Sequence, residues 1–282
     1  MARLLVLSYI QAGALLDAHA AGQDTATVSP DLGLSTVPVA LDAAGARFPT
    51  GETVTWADLA RIREATRKCF LVEGDQVTEI AVFSETTGWL RSLMPTTGAP
   101  TMLVSGISMH RFKGIDPYED TLRKVKTIAP LTGRVLDTAT GLGYTAIEAA
   151  KTATEVVTIE LDPAGLEVAR YNPWSQALFE NPRIRQVVGD AYDEVAALPA
   201  GSFSRIIHDP PAFSLAGDLY SGTFYGELFR VLARGGRLFH YIGDLESKSG
   251  HRVTAGVIRR LQEAGFKGVL RRPEAFGVVA SK

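Results

Sequence analysis

From about residue 116 onwards the sequence alternates short apolar segments with segments of helical character, and this alternation constrains the fold more than any other feature. The predicted strands are RVLDT, EVVTIEL, IRQVVG, SRIIHDP and GRLFHYIG, followed by KGVLRR and FGVVAS. Strands separated by helices form parallel βαβ units, whereas the last two strands lie close enough in sequence to form an antiparallel hairpin. We therefore predict a Rossmann-like α/β fold over residues 111–282, with a seven-stranded, mostly parallel sheet and a C-terminal antiparallel hairpin.

The first 110 residues differ, because short apolar segments such as STVPVAL, KCFLVEG and EIAVFSE alternate with turns, and one stretch, WADLARIREATRK, has helical character. This pattern predicts a small α+β domain over residues 1–110, which we expect to recognise the substrate. The opening residues, MARLLVLSYIQAGALLDAHA, resemble a signal peptide superficially, but Gln11 and Asp17 interrupt the apolar run. A strand leading into a helix is the interpretation that we favour.

Composition limits the kinds of partner. The chain of 282 residues is 46% hydrophobic and 21% charged, which is ordinary for a globular protein. A formal net charge of -2 gives no overall field for nucleic acid, so an RNA partner would need a local basic patch. The C-terminal region offers one, although charges on the outer face of an amphipathic helix are also the default. The patch comprises Lys248, His251, Arg252, Arg259, Arg260, Lys267, Arg271 and Arg272.

Cysteine and histidine usage argues against a metal site. Cys69 is the single cysteine and the five histidines are scattered, so no ligand spacing typical of a metal site occurs and no intrachain disulfide can form. No apolar stretch approaches the length of a transmembrane helix. We therefore expect a cytoplasmic protein without a metal or a membrane partner.

A glycine-containing turn follows the first predicted strand of the sheet, in VLDTATGLGYTAIEAA. Gly141 and Gly143 would let the backbone approach a ligand closely, and with Ala146 they also satisfy a dinucleotide fingerprint. Asp137 separates the two interpretations, because a carboxylate beside the turn would repel a pyrophosphate and attract the sulfonium and ammonium of S-adenosylmethionine. The sequence therefore predicts S-adenosylmethionine as the cofactor.

Two further acids end the next two predicted strands. Glu160, in VVTIELDP, can accept hydrogen bonds from both ribose hydroxyls, and Asp190, in VVGDAYD, can accept one from the adenine amino group. Each acid alone could be a solvated residue or a helix cap. Three acids at successive strand ends favour a cofactor site instead. The neighbouring residues predicted to complete it are Ala139, Leu161 and Ala191.

The fourth predicted strand ends in IIHDPPAF, where Asp209, Pro210, Pro211 and Phe213 are the candidate catalytic residues. The two prolines fix the backbone and remove two N–H donors, which leaves a turn rich in acceptors. The Asp209 carboxylate and the Pro210 carbonyl could both accept hydrogen bonds from an amino group and so orient its lone pair. A tight turn without a function is the competing interpretation.

These residues resemble those of the class I amino-methyltransferases, whose fourth motif is Asp, Asn or Ser followed by Pro-Pro and an aromatic residue. That resemblance implies methylation of a planar amino nitrogen, such as N6 of adenine, N4 of cytosine or N2 of guanine. Ala212 departs from the pattern, and Phe213 is the candidate to replace the missing aromatic residue. More broadly, the chain from about SGISMHRFKGIDPYEDT to its last residue resembles a family of predicted methyltransferases best known from archaea. This wider resemblance implies ribosomal RNA cytidine N4 as the acceptor.

Other residues near these motifs have two interpretations each. Tyr220, Phe224 and Tyr225 could form an aromatic wall for an extruded base or belong to the core. For His208 and His240, a hydrogen-bonded structural role is favoured over catalysis.

Asp116, Asp120 and Thr121 precede the first strand of the sheet and are candidates for capping a helix. Closure of the same segment over the cofactor is an equal alternative.

We thus expect an S-adenosylmethionine-dependent N-methyltransferase acting on an exocyclic amino group of a nucleic-acid base, with RNA ahead of DNA. The alternatives are a protein or small-molecule amine as acceptor, and a cofactor-binding module without catalysis. Methylation at pyrimidine C5 is disfavoured, because Cys69 lies far upstream in the other domain. The sequence predicts no oligomeric state.

Overall fold

The computed structural model describes residues 4–213 and 216–282, and for residues 248 and 249 the backbone alone. Arg3 at the start of the first predicted strand, and the side chain of Lys248 in the predicted basic patch, therefore lie outside the described parts. The chain divides into two compact units, the first formed by Met1–Pro117 with Ala164–Gln176 and the second by Tyr118–Pro163 with Ala177–Lys282.

The first unit contains three small antiparallel sheets, β1-β6-β7, β2-β3-β4-β5 and β11-β10-β9-β8. Their strands are β1 (Leu5–Ser8), β2 (Thr25–Val28), β3 (Val37–Leu41), β4 (Gly45–Arg47), β5 (Thr53–Thr55), β6 (Cys69–Glu73), β7 (Gln76–Glu79), β8 (Ala81–Phe83), β9 (Leu90–Met94), β10 (Thr101–Val104) and β11 (Ile107–Ser108). The helices α1 (Tyr9–Ala20) and α2 (Trp56–Glu64) pack with the first two of these sheets through a core that includes Leu7, Leu15 and Ile62.

The opening residues form a strand followed by a helix, as the sequence predicts. Ser8 ends β1 and caps α1, and the Oε1 atom of Gln11 accepts hydrogen bonds from the backbone N–H of Ser8 at 2.9 Å and from its hydroxyl at 2.7 Å. This reciprocal capping satisfies backbone groups that a buried helix start would otherwise leave unpaired. Gln11, which interrupts the apolar run in the sequence, therefore acts as a local helix-start residue.

The second unit is built on a seven-stranded sheet in the order β14-β13-β12-β15-β16-β18-β17. Its strands are β12 (Arg134–Asp137), β13 (Glu155–Glu160), β14 (Ile184–Val188), β15 (Phe203–His208), β16 (Leu232–Tyr241), β17 (Lys267–Arg272) and β18 (Gly277–Ser281). The pairs among β12 to β16 are parallel, whereas β18 is antiparallel to both β16 and β17. The predicted Rossmann-like sheet and its C-terminal hairpin are confirmed.

Helices connect these strands in the order that βαβ units require. They are α4 (Tyr144–Ala149), α5 (Pro163–Arg170), α6 (Gln176–Glu180), α7 (Ala191–Ala197), α8 (Gly222–Val231) and α9 (Lys248–Glu263), while α3 (Pro117–Lys126) precedes β12. The central strands are buried, and Leu136, Ile206 and Leu238 form the middle of a core that α8 and α9 cover with residues such as Phe224 and Val257. Burial of strands on both faces explains their nearly continuous apolar sequences.

One predicted boundary is wrong. The sequence pattern extends the helix before the fifth strand through FYGELFRVLARGG, but α8 ends at Val231 and β16 begins at Leu232. Leu232 has extended backbone angles and pairs with Phe203 of β15, and Gly235 has a φ of 74°, which a helix does not accommodate. Pairing with β15 thus takes precedence over local helix propensity.

Within the described residues, no helix is both long enough and apolar enough to cross a membrane.

Candidate active site

The carboxyl ends of the parallel strands bring the three predicted acids to one edge of the sheet. Asp137 ends β12 and Glu160 ends β13, while Asp190 follows β14 by two residues and begins α7 as its N-cap. Because β12, β13 and β14 pair in parallel and in this order, the acids lie along one line. Ligands of open α/β sheets bind at this edge.

The glycine turn between β12 and α4 is tightly held. Gly141 and Gly143 have φ values of 53° and 77°, a conformation that favours glycine. A Cβ atom on Gly143 would lie 2.7 Å from the Cδ2 atom of Leu178, whereas a Cβ on Gly141 would meet nothing within 4 Å. The turn therefore packs against the protein at Gly143 and leaves open space at Gly141.

Glu160 fixes this turn from the next strand. Its Oε2 atom accepts a hydrogen bond from the Gly141 N–H at 2.8 Å, and its Oε1 atom accepts one from the Asp162 N–H at 3.1 Å. A carboxylate oxygen can accept more than one hydrogen bond. The structure thus places the predicted ribose acid beside the predicted glycine turn.

Asp137 is fully buried, a position that the sequence does not reveal. Its Oδ2 atom accepts hydrogen bonds from the hydroxyls of Thr145 at 2.9 Å and Thr158 at 3.0 Å. Burial nevertheless raises the pKa of Asp137 to about 7, against the opposing effect of these two hydrogen bonds. The raised pKa weakens the negative charge by which Asp137 would distinguish a sulfonium from a pyrophosphate.

The remaining predicted cofactor residues lie at the same edge. Asp190 is exposed and accepts a hydrogen bond from the Tyr192 N–H at 2.8 Å, so it does cap a helix while its carboxylate faces solvent. The Leu161 side chain is 49% exposed and offers an apolar surface next to Glu160. Ala191 is buried and Ala139 is half-buried.

Asp209 immediately follows β15, and its Oδ2 atom accepts a hydrogen bond from the Lys124 ammonium of α3 at 2.7 Å. Lys124 is buried, lies 3.1 Å from the Oδ2 atom of Asp120, and stands 4.3 Å from the centre of the Tyr241 ring. Lys124 is a residue of this site that the sequence does not predict. Asp120 and Lys124 are spaced i,i+4 on an amphipathic helix, but that spacing alone is typical of an exposed pair.

The interpretation of Asp120 as a helix cap is wrong, because Asp120 lies inside α3 and is buried against Lys124.

Electrostatic effects on Asp209 oppose one another. Burial raises the pKa of Asp209, the Lys124 ammonium lowers it, and the Asp120 carboxylate raises it, with a net shift above the ordinary value. The pKa of Lys124 is also raised, because the attraction of Asp209 and Asp120 outweighs the cost of burial. Lys124 is therefore charged at neutral pH, and it favours the ionised form of Asp209.

The Pro-Pro turn continues from Asp209. Pro210 is buried, and the Pro211 carbonyl accepts a hydrogen bond from the Tyr220 hydroxyl at 3.1 Å. Phe213 is 50% exposed and stands edge-on to the Tyr220 ring, with 5.4 Å between ring centres. Phe213 thus presents an aromatic surface beside the prolines, where the family pattern has its aromatic residue one position earlier.

The aromatic wall is wrong as an interpretation, because Tyr220, Phe224 and Tyr225 are all buried and offer no ring face to a base. Both histidines are buried and make hydrogen bonds of the kind that a structural role predicts. His208 is buried between the Thr138 hydroxyl at 2.7 Å and the Leu219 carbonyl at 2.9 Å, and His240 lies 2.8 Å from the Tyr225 hydroxyl.

Among the described residues, no group of three or more His, Cys, Asp or Glu side chains is arranged to hold a metal ion. Cys69 is buried in β6, and burial raises the pKa of its thiol. In the patch, Arg252, Arg259, Lys267 and Arg271 are exposed, whereas Arg260 is half-buried.

The seven-stranded sheet has the Rossmann-like class I arrangement. A spermidine synthase in complex with the transition state analogue AdoDATO shares it with a TM-score of 0.58 and 20% identity, over 71% of this chain and 72% of that one. The spermidine synthase of Thermotoga maritima follows with a TM-score of 0.56 and 18% identity, over 71% of both chains. No protein-family model matches the chain.

The sequence comparison then gives the family. The uncharacterized protein MJ1233 of Methanocaldococcus jannaschii is 45% identical over 239 residues, which cover 84% of this chain and 81% of that protein. The chain belongs to the same family as MJ1233.

Two relatives with named activities match shorter segments. Polyamine aminopropyltransferase 2 of Streptomyces coelicolor is 33% identical over 120 residues, which are 40% of this chain and 21% of that protein. Putrescine N-methyltransferase 3 of Nicotiana tabacum is 28% identical over 145 residues, which are 50% of this chain and 38% of that protein. The matches thus span less than half the length of either relative.

Proposed function

We propose that the protein is an N-methyltransferase that moves the methyl group of S-adenosylmethionine to an amine held at Asp209. The observation that carries this proposal is the Asp209 carboxylate, held by the buried Lys124 ammonium at 2.7 Å on the same sheet edge as Glu160 and the glycine turn. Such a carboxylate is a fixed hydrogen-bond acceptor next to the place where the sulfonium group of the methyl donor would lie.

The residues at the cofactor end fit this donor. The open space at Gly141 allows a ligand to approach the backbone, and the Glu160 carboxylate at the neighbouring strand end is the candidate acceptor for the ribose hydroxyls. Leu161 offers an apolar surface for a purine ring, and Asp190 an exposed acceptor for its amino group. When bound, S-adenosylmethionine would supply an electrophilic methyl group. The protein's part is to hold this donor and to orient it toward the acceptor amine.

The acceptor end orients the nucleophile. An N–H of the amine donates to the Asp209 carboxylate, and a second N–H can donate to the Pro210 carbonyl, so the lone pair is directed at the methyl carbon. A carbon–nitrogen bond forms as the carbon–sulfur bond breaks, and the methylated nitrogen then loses a proton to solvent. Alignment of this kind supplies roughly 7 to 11 kcal/mol of barrier reduction in favourable cases.

The local charge favours a small aliphatic amine as the acceptor. Around Asp209, the carboxylates of Asp209 and Asp120 outnumber the Lys124 ammonium, and this excess of negative charge attracts a cationic amine. The attacking nitrogen of such an amine releases a proton to solvent before transfer, which frees its lone pair. The polyamine and putrescine activities named for the two partial relatives support the same substrate class. They also make the aminopropyl group of decarboxylated S-adenosylmethionine the alternative group for transfer.

A second candidate acceptor is an exocyclic amine of a nucleic-acid base, such as N4 of cytidine in ribosomal RNA. The observation in its favour is Phe213, which is half-exposed beside Pro210 and Pro211 and can stack on a planar base. The exposed cations of α9 and β17 would then contact phosphates.

The test is a substitution of Asp209 in an assay with labelled donors. Purified full-length protein is incubated with methyl-labelled S-adenosylmethionine, or with its decarboxylated form labelled in the propyl chain, and with putrescine, spermidine or unmodified RNA. We expect methyl transfer to an aliphatic amine, and a loss of about 100-fold in turnover for Asp209→Asn with unchanged donor affinity.

The matched control is Asp218→Asn, which removes an exposed carboxylate a few residues further along the chain and should leave turnover unchanged. Transfer by Asp209→Asn at the wild-type rate would eliminate the proposed role of Asp209. Label in RNA alone would replace the first acceptor with the second, and label from the propyl chain alone would replace the transferred group.

A further inference from the structure

We propose that Lys124 is a positioning residue: its ammonium occupies one oxygen of Asp209 and so presents the other oxygen to the acceptor amine. This inference rests on the proposed function, since it concerns the same carboxylate. It assigns to α3, which precedes the first strand of the sheet, a direct part in preparing the acceptor end of the site.

The Lys124 ammonium is held from three elements. It contacts Asp209 after β15 at 2.7 Å, Asp120 on α3 at 3.1 Å, and the face of Tyr241 at the end of β16 at 4.3 Å from the ring centre. Lys124 is only 3% exposed, so water contributes little to its solvation. Partners on three elements leave the ammonium little freedom to move.

Asp209 is asymmetric as a result. Its side chain is 21% exposed, and its Oδ2 atom accepts the Lys124 hydrogen bond. Among the described residues, none donates a hydrogen bond to its Oδ1 atom. The free oxygen is the acceptor that an amine requires, and the occupied oxygen prevents rotation of the carboxylate.

Stability alone is a weak reason for this arrangement. A buried ion pair often contributes little net stability, because removal of both ions from water offsets their attraction. The other titratable groups around Asp209 also disfavour its negative charge. They are the carboxyls of Asp120 on α3 and Asp137 on β12 and the phenols of Tyr220 and Tyr241, and none of them is a cation. Without Lys124 the Asp209 carboxyl would bind a proton more readily, and its two oxygens would then no longer both act as hydrogen-bond acceptors.

Lys124→Met tests this role in the full-length protein, with Lys124→Arg as the variant that keeps the charge. The assay uses methyl-labelled S-adenosylmethionine with putrescine, and measures kcat and KM from pH 5 to 9. For Lys124→Met we expect a loss in kcat of about 100-fold, comparable to that from small misplacements of a reacting group. The acid limb of the pH profile of kcat should move to higher pH, because Asp209 without the Lys124 ammonium is protonated more easily. Lys124→Arg should restore the limb and part of kcat.

A direct measurement of the Asp209 pKa tests this inference separately from the proposed function. The pKa of Asp209 is followed by NMR of carboxyl-labelled aspartate in wild type, in Lys124→Met and in Asp120→Asn. We expect a rise with Lys124→Met and a fall with Asp120→Asn, which removes a like charge and remains informative if Lys124→Met does not fold.

An unchanged Asp209 pKa in both variants would overturn the inference even if the enzyme methylates amines. If the wild type transfers to no amine while the pKa moves as expected, the proposed function fails and the positioning of Asp209 by Lys124 stands. An unchanged acid limb and kcat in a folded Lys124→Met protein would reduce Lys124 to an anchor for α3.

Discussion

At the scale of single residues, the buried carboxyl of Asp137 links the predicted cofactor site to the stability of the fold. Its pKa is raised to about 7 from an ordinary value of 3.8, so between these values the folded state binds a proton that the unfolded state does not. A carboxyl of this kind makes the free energy of unfolding decrease as pH rises from about 4 to about 7, with no further change above the folded pKa.

We therefore expect Asp137→Asn to gain stability relative to wild type as pH rises from 5 to 7. The gain should be about 1.4 kcal/mol per pH unit at most and should level off above pH 7. Urea unfolding of both proteins at a series of pH values measures it. A constant difference between the two proteins across this range would show that Asp137 does not carry the raised pKa.

Residues at this scale also show where sequence reasoning stops. The three acids could be placed because each ends a strand, and strand ends follow from local patterns. The contact of Lys124 with Asp209 joins residues 85 positions apart, and no local pattern encodes such a pair. Nor does the sequence around Asp137 reveal that Thr145 and Thr158 enclose its carboxyl.

At the scale of elements, the turn between β12 and α4 depends on two glycines for different reasons. Gly143 is constrained by both its positive φ and the contact with Leu178, whereas Gly141 is constrained by its φ alone.

Gly143→Ala should destabilise the protein by about 3 kcal/mol, the sum of a left-handed backbone penalty and overpacking against Leu178. Gly141→Ala, the matched variant, should cost only about 1 kcal/mol but should weaken S-adenosylmethionine binding. Thermal unfolding and calorimetric titration of both variants check this. Equal destabilisation by both substitutions would contradict the packing account.

The strand elements were predictable, since parallel strands buried on both faces have continuous apolar sequences. The boundary between α8 and β16 was not, because local helix propensity continues past Val231 and only the pairing of Leu232 with Phe203 ends the helix. The unit to which α5 and the residues after it belong was not predictable either. Their sequence is typical of a βαβ segment, yet residues 164–176 group with the first unit.

At the scale of the whole molecule, the net charge is -2, and the salt dependence of substrate binding distinguishes the two candidate acceptors. A small amine makes few ionic contacts, whereas an RNA complex releases many counterions. We expect KM for the preferred amine to change less than about threefold between roughly 50 and 200 mM salt, a range over which phosphate-dominated binding weakens by about 10³ or more. Steady-state kinetics across this range measures it, and a steep loss of affinity would favour RNA.

The composition of the two units has a consequence for how such a protein can change in evolution. The first unit takes one of its segments, Ala164–Gln176, from the middle of the stretch that otherwise builds the second. A single recombination event near residue 117 would therefore not deliver a complete first unit to another gene. The two units in this family should thus be inherited together and diverge through substitutions and loop changes, rather than through exchange of the N-terminal unit as a separate block.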